Sequence, residues 1–171
     1  MSNEPTSEAP VVVGADIVLP PPVFNADSGS ATAKKAAQFL AEKNAGYVVP
    51  TARQKRNLVV ACAKQDFIVY GKAFDVVRLT GEVDLNSLED VENKLTQILF
   101  CEIKSTKQKF PDDFRGYFFG LTAAEVLVAQ SLKDQFRFIF VNTVTGSFLE
   151  LKLSEVFAKA RGIYPTWSIS F

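Results

Sequence analysis

Ile98-Leu99-Phe100-Cys101-Glu102-Ile103-Lys104 reads as the strand around which the rest of the chain is arranged. Its first four residues are apolar without alternation, as in a strand covered on both faces. Two charged residues then intrude. Alternate side chains of a strand point the same way, so Glu102 and Lys104 share one face while Ile103 points into the core. A carboxylate and an ammonium at the end of a buried strand are costly unless something compensates them. Asp75 closes a second apolar approach, Ala73-Phe74, just before Val76-Val77. With Asp75 on a neighbouring strand, two carboxylates and a lysine can together hold a divalent cation and a polarised water, which suits hydrolysis.

Composition narrows the alternatives. A chain of 171 residues suits one domain with a tail and can bury a real core. Nineteen basic residues balance nineteen acidic ones, so a nucleic-acid site has to be a local patch. The chain has no histidine, which removes histidine general bases, His-based triads and zinc sites that need imidazole. Cys62 and Cys101 lie in apolar segments and read as small buried hydrophobes in a reducing compartment. No segment has the apolar length to span a bilayer. Residues 1–8 lack a basic region followed by an apolar stretch, so a cytoplasmic protein without a membrane partner is expected.

Residues 1–30 are rich in Pro, Ser, Ala and Asp, with Pro20-Pro21-Pro22 in the middle, and read as an extended or weakly ordered arm. Residues 31–171 form the domain. A helix is expected over 31–44, with Gly46 as its C-cap. A second helix runs from a Thr51 cap to about Lys64. Residues 67–70 read as a short strand, Gly71-Lys72 as a turn and residues 74–79 as a longer strand. Residues 86–94 suit a short helix, 96–104 the central strand and 107–116 a charged loop. Thr122 and Glu125 have capping-box spacing ahead of a helix to Leu132. Residues 136–141 and 148–151 read as a hairpin about Thr145-Gly146, and Ser154 as the cap of a last helix. Pro165 to Phe171 would end the chain as a strand or apolar tail. Helices flanking a mixed central β-sheet make the fold α/β or α+β.

The run from Tyr70 to Val141 resembles the PD-(D/E)XK nuclease superfamily and its restriction-endonuclease-like domains. Asp75 followed by Glu102-Ile103-Lys104-Ser105-Thr106 carries the likeness. It continues through Tyr117-Phe118-Phe119, Leu121-Thr122 with Glu125 and Ala129, and Phe136-Arg137-Phe138-Ile139-Phe140-Val141. Phe74 stands where the superfamily has the proline of its name. Pro111-Asp112 spells the motif but follows the Glu-x-Lys strand, so it is a loop feature. Glu42 is the one acid of the first helix and is not assigned to the site. The resemblance implies that Asp75 and Glu102 ligate Mg²⁺, which Mn²⁺ can replace, with the Ile103 carbonyl as a further ligand. It also implies that Lys104 orients or deprotonates the attacking water. Mg²⁺ accepts one or two carboxylates and keeps several waters, and a desolvated lysine loses its proton more easily.

DNA is the partner this implies. Arg53, Lys55 and Arg56 on the second helix, and Lys107, Lys109 and Arg115 in the charged loop, are the candidate phosphate contacts. Tyr117-Phe118-Phe119 and Trp167 are candidates for stacking on bases. The expected activity is metal-dependent DNA endonuclease cleavage of restriction or DNA-defence type, acting as a homodimer or with a partner subunit. The competing expectation is a catalytically silent nucleic-acid-binding or assembly subunit of the same fold. In a third, the apolar stretches 11–23 and 163–171 dock on a larger machine. At Glu125 the capping box by itself accounts for the residue.

Overall fold

The computed structural model describes residues 29–43 and 45–164. The expected arm up to residue 28, the apolar tail from 165 and Trp167 lie outside the described residues. The elements run α1 (Gly29–Glu42), β1 (Tyr47–Val48), α2 (Ala52–Lys64), β2 (Val76–Leu79), α3 (Leu88–Asn93), β3 (Ile98–Thr106), α4 (Ala123–Leu132), β4 (Phe136–Asn142), β5 (Phe148–Leu151) and α5 (Leu153–Lys159). The five strands form one mixed sheet in the order β1-β2-β3-β4-β5. β3 is central, parallel to β4 and antiparallel to β2, while β1 and β5 are antiparallel edges. The parallel pair needs a long crossover, which the loop after β3 and α4 supply.

Both faces of β3 are covered, as its unbroken apolar start requires. On one side Phe100, Phe136, Phe138 and Phe140 pack with Leu58 and Cys62 of α2, Val91 of α3, Val128 and Leu132 of α4 and Val156 of α5. On the other, Val76, Cys101, Ile103, Ile139 and Val141 meet Ala36, Ala37 and Leu40 of α1, where small side chains allow close approach. Phe74, Phe100, Phe136 and Phe138 are each under 2% exposed. Truncating one of them to Ala would cost roughly 3–5 kcal/mol.

Local chemistry sets the boundaries. Thr51 Oγ1 accepts from Gln54 N at 3.3 Å and Gln54 Oε1 accepts from Thr51 N at 2.9 Å, a capping box that starts α2. Ser87 Oγ accepts from Asp90 N and starts α3. The β4–β5 turn is held by Asn142 Oδ1, which accepts from Val144 N and Thr145 N.

Four expectations are corrected. Residues 67–70 form no strand: Phe67 N donates to Cys62 O and Ile68 N to Ser131 Oγ, so their donors go to α2 and α4 instead of a ladder. β2 begins at Val76, leaving Phe74 and Asp75 ahead of it. Ser154 lies inside α5, whose N-cap is Lys152 with its N–H donated to Glu155 Oε2. Gly46 is no C-cap. α1 ends at Glu42, and Gly46, at φ +79°, passes so close to β2 that a Cβ would strike the carbonyl oxygen of Leu79. That close approach lets Leu79 N donate to Gly46 O at 2.8 Å beside the short β1, which sequence periodicity did not reveal.

Candidate active site

Even-numbered residues of β3 point to the phenylalanine-rich side, where Glu102 is registered with Phe138 and Lys104 with Phe140. Both charged residues therefore sit where an apolar side chain would continue the core. Glu102 is only 7% exposed. Lys104 Nζ donates to Glu102 Oε1 at 3.0 Å and to Glu125 Oε2 at 2.8 Å. Glu125 Oε2 also accepts from Thr122 N at 3.0 Å, closing the first turn of α4.

Asp75 stands one residue beyond the last registered β2–β3 pair, Val76 with Cys101. Its N–H donates to Cys101 O at 2.9 Å, and its Oδ2 accepts from Ile103 N at 3.0 Å. The carboxylate thus takes over from the backbone as the acceptor for β3, which fixes it beside Glu102. Behind it, Lys55 Nζ donates to Gly71 O at 3.0 Å and Phe74 O at 2.7 Å, and lies 4.7 Å from the Phe74 ring centroid.

The electrostatics follow from burial and a surplus of acid. Burial, reinforced by the charges of Asp75 and Glu125 and opposed by Lys104, pushes Glu102 up to about 8. Burial alone would lower Lys104, but the charges and hydrogen bonds of Glu102 and Glu125 outweigh it and hold the ammonium above its ordinary value. Partners in a balanced ion pair shift apart. Here both shift upward, because three carboxylates share two ammoniums in a poorly solvated place. Without a metal these partners favour the ammonium form of Lys104, whereas desolvation by itself would favour the free amine.

The oxygens of Asp75, Glu102 and the Ile103 carbonyl are donors of the kind that a hard divalent cation takes. Among the described residues no group of three or more His, Cys, Asp or Glu side chains is arranged to hold a metal. Glu125 is committed to Lys104 and Thr122. A cation here would rest on Asp75, Glu102, the Ile103 carbonyl and water, which lies within the coordination habits of Mg²⁺. Its charge would offset both the burial and the neighbouring carboxylates that raise Glu102.

The other site candidates are scattered. Arg53 and Arg56 are exposed on α2, and Lys107, Lys109 and Arg115 are exposed on the loop leaving β3. Lys55 is half-buried and bound to backbone. Tyr117 and Phe119 are partly buried and packed against the core: each meets Phe140, with centroids at 6.2 and 4.8 Å, and Tyr117 Oη donates to Ser105 O. Phe118 is 42% exposed. Glu42 is exposed at the end of α1, on the opposite side of the sheet, and Pro111-Asp112 lies in the exposed loop. Cavities of about 340 and 240 Å³ lie against the β4–β5 turn and between α4 and α5, away from Glu102.

Glu125 and the anchoring role of Lys55 were missed. The capping-box spacing explained Glu125 fully at the level of sequence. The signal that could have found it is topological: a helix that returns the chain from β3 to a parallel β4 starts near the end of β3, so its first-turn acid meets Lys104.

A second ionic cluster lies on the α1 side, where Arg78, Arg137 and Glu150 are registered with Leu99, Cys101 and Ile139. Glu150 accepts from Tyr47 Oη at 2.7 Å and Arg78 Nη1 at 2.8 Å, and pairs with Arg137 Nε at 3.2 Å. Comparison with known proteins finds no matching family model, no matching curated protein and no matching solved structure. No described helix is long and apolar enough to cross a membrane.

Proposed function

We propose that this domain is a divalent-metal-dependent deoxyribonuclease of the PD-(D/E)XK kind, hydrolysing phosphodiester bonds in restriction or DNA defence. The observation that carries the reading is that Asp75, just ahead of β2 and bonded to Ile103 N, lies beside Glu102 at the centre of β3 and an ammonium fixed by Glu125. The resemblance of residues 70–141 to that superfamily agrees with it. A bound Mg²⁺ would acidify a water and offset charge gathering on the phosphate.

The chain's own groups do the rest. Asp75 and Glu102 present the anionic oxygens. Lys104, held as an ammonium by two carboxylates, donates hydrogen bonds that orient the attacking water or a non-bridging phosphate oxygen. The water oxygen bonds to phosphorus and the water's proton passes to solvent, while the bond to the leaving sugar oxygen breaks and that oxygen takes a proton from solvent to leave as a hydroxyl. Exposed Arg53, Arg56, Lys107, Lys109 and Arg115 supply phosphate contacts that weaken with salt. Two copies, or a partner subunit, would be needed to cut both strands.

A second reading is a nucleic-acid-binding or assembly module without catalysis. The observation in its favour is that Lys104 already satisfies two carboxylates inside the protein, as a structural network would. A plasmid-nicking assay with Mg²⁺ or Mn²⁺ separates the two. Wild-type nicking that is lost in Glu102→Ala and Lys104→Ala supports the nuclease. Binding that falls steeply with salt and never leads to cleavage supports the module, and light scattering fixes the number of copies.

A further inference from the structure

We propose that Lys55 is the positioning residue of the carboxylate pair: from α2 it fixes the backbone that carries Asp75 and so holds the Asp75 carboxylate against β3. The proposal rests on reading Asp75 and Glu102 as one cation-binding cradle.

Asp75 needs such a support because the sheet gives it little. It precedes the first residue of β2, and residues 71–75 belong to no strand. The turn before it is closed by Ala73 N donating to Tyr70 O at 2.9 Å. Gly71 lies inside that turn and Phe74 just after it, and the carbonyls of both accept from the Lys55 ammonium, at 3.0 and 2.7 Å. The Phe74 ring is buried in the core beneath it, 4.7 Å from the same nitrogen, so the lysine is held from a second direction. An ammonium has three donors and can serve two carbonyls at once while keeping its charge.

The base of the lysine is equally fixed. Lys55 N donates to Thr51 O at 2.8 Å, so the residue sits in the first turn of a helix whose start is locked by the Thr51–Gln54 capping box. A rigid helix start thus reaches across to the segment that delivers the catalytic acid. Phe74 O belongs to the peptide group that joins Phe74 to Asp75, and Asp75 Oδ2 has to meet Ile103 N at 3.0 Å. The Lys55 charge also lies within reach of Asp75 and Glu102. A lysine acting by charge alone would repel a metal there, so the two roles predict opposite effects on cation affinity.

The test is amide hydrogen exchange on the metal-free full chain, comparing wild type with Lys55→Met, Lys55→Arg and Asp75→Ala, followed by calorimetric titration with Mn²⁺. Lys55→Met is expected to speed exchange at the Ile103 amide toward the rate in Asp75→Ala, while amides elsewhere in β3 and β4 keep their protection. Lys55→Arg, which can still donate to two carbonyls, is expected to restore it. The Mn²⁺ dissociation constant should rise about tenfold in Lys55→Met, as for other losses of a group that orients a ligand. Unchanged Ile103 exchange in Lys55→Met overturns the proposal, as does a uniform loss of protection across the sheet or tighter Mn²⁺ binding. Should wild type bind no Mn²⁺ while Ile103 responds as expected, the cradle reading fails and the positioning of Asp75 by Lys55 stands.

Discussion

On the α1 side of the sheet, one carboxylate, Glu150, receives a phenol and two guanidiniums; on the other side, Asp75, Glu102 and Glu125 share the ammoniums of Lys104 and Lys55. The two clusters are built on neighbouring residues of the same strands, and both are largely out of water. They differ in which sign is in surplus. Glu150 has its charge answered more than once within the chain, and its partners are long side chains of edge and inner strands that tie β1, β2, β4 and β5 together. The β2–β3 cluster has one acid more than it has bases, and Glu102 is pushed upward, first by burial and then by the charges of Asp75 and Glu125. A cluster that only holds strands together gains nothing from an unmatched buried charge, which is costly. An unmatched acid is what a site needs if a cation arrives from outside. Perturbed groups of this kind gather at functional sites.

The comparison is broken most directly through activity. Glu102→Ala or Lys104→Ala should lower Mg²⁺-dependent plasmid nicking by about 10²–10³-fold, the effect of removing a group that stabilises developing charge. Glu150→Ala, measured per folded molecule, should nick at the wild-type rate. A Glu102→Ala protein that nicks as well as wild type would leave the two clusters functionally equivalent. Stability should respond the other way. Glu150→Ala strands Arg78 and Arg137, whose side chains are 32% and 16% exposed. It should cost about 3 kcal/mol, read from the urea midpoint at constant slope.

How far these clusters could be read from sequence depended on how local their causes are. β3 and its two intruding charges were legible, because strand alternation alone places Glu102 and Lys104 on one face. The caps at Thr51 and Thr122 were legible because a capping box is a four-residue pattern. Lys55 was seen only as one charge in a basic run, since its carbonyl partners lie in a turn that follows residues 67–70, and those β-branched and aromatic residues read as strand by composition. β1 has two residues and is too short for any periodicity. Glu150 was passed over as an ordinary residue of a hairpin strand. Its partners come from three other strands, and nothing in the spacing of Tyr47, Arg78 and Arg137 announces that they converge.

Glu125 sharpens the comparison at smaller magnitude, because it serves both a helix start and Lys104. Glu125→Gln keeps an oxygen for Thr122 N but removes the charge opposite Lys104. Stability should fall by about 1 kcal/mol, within the range for one hydrogen bond. Nicking should fall by about tenfold, since Lys104 is less firmly held. A loss of stability with no loss of nicking would make Glu125 a helix cap alone.

The smallest effect is on pH dependence in the absence of metal, and it differs between the clusters in where it falls. An unfolded glutamate releases its proton near pH 4.3, whereas folded Glu102 keeps its proton to about 8. Between those values the native state binds more protons than the unfolded state, so stability decreases as pH rises. The Glu102 contribution is therefore complete below about pH 4.3 and is lost by the time pH has passed through about 8. In Glu102→Gln that part of the slope should vanish from urea midpoints taken across the window, whereas Glu150→Gln should leave it in place. Tyr47 in the other cluster is raised above the usual phenol range, first by burial and then by Glu150, so it titrates beyond this window and adds no slope within it. A metal-free wild type whose midpoint is flat from pH 5 to 8, with the same flat profile in Glu102→Gln, would mean that Glu102 is already ionised and matched in the folded protein. The surplus of acid that distinguishes the β2–β3 cluster would then be absent.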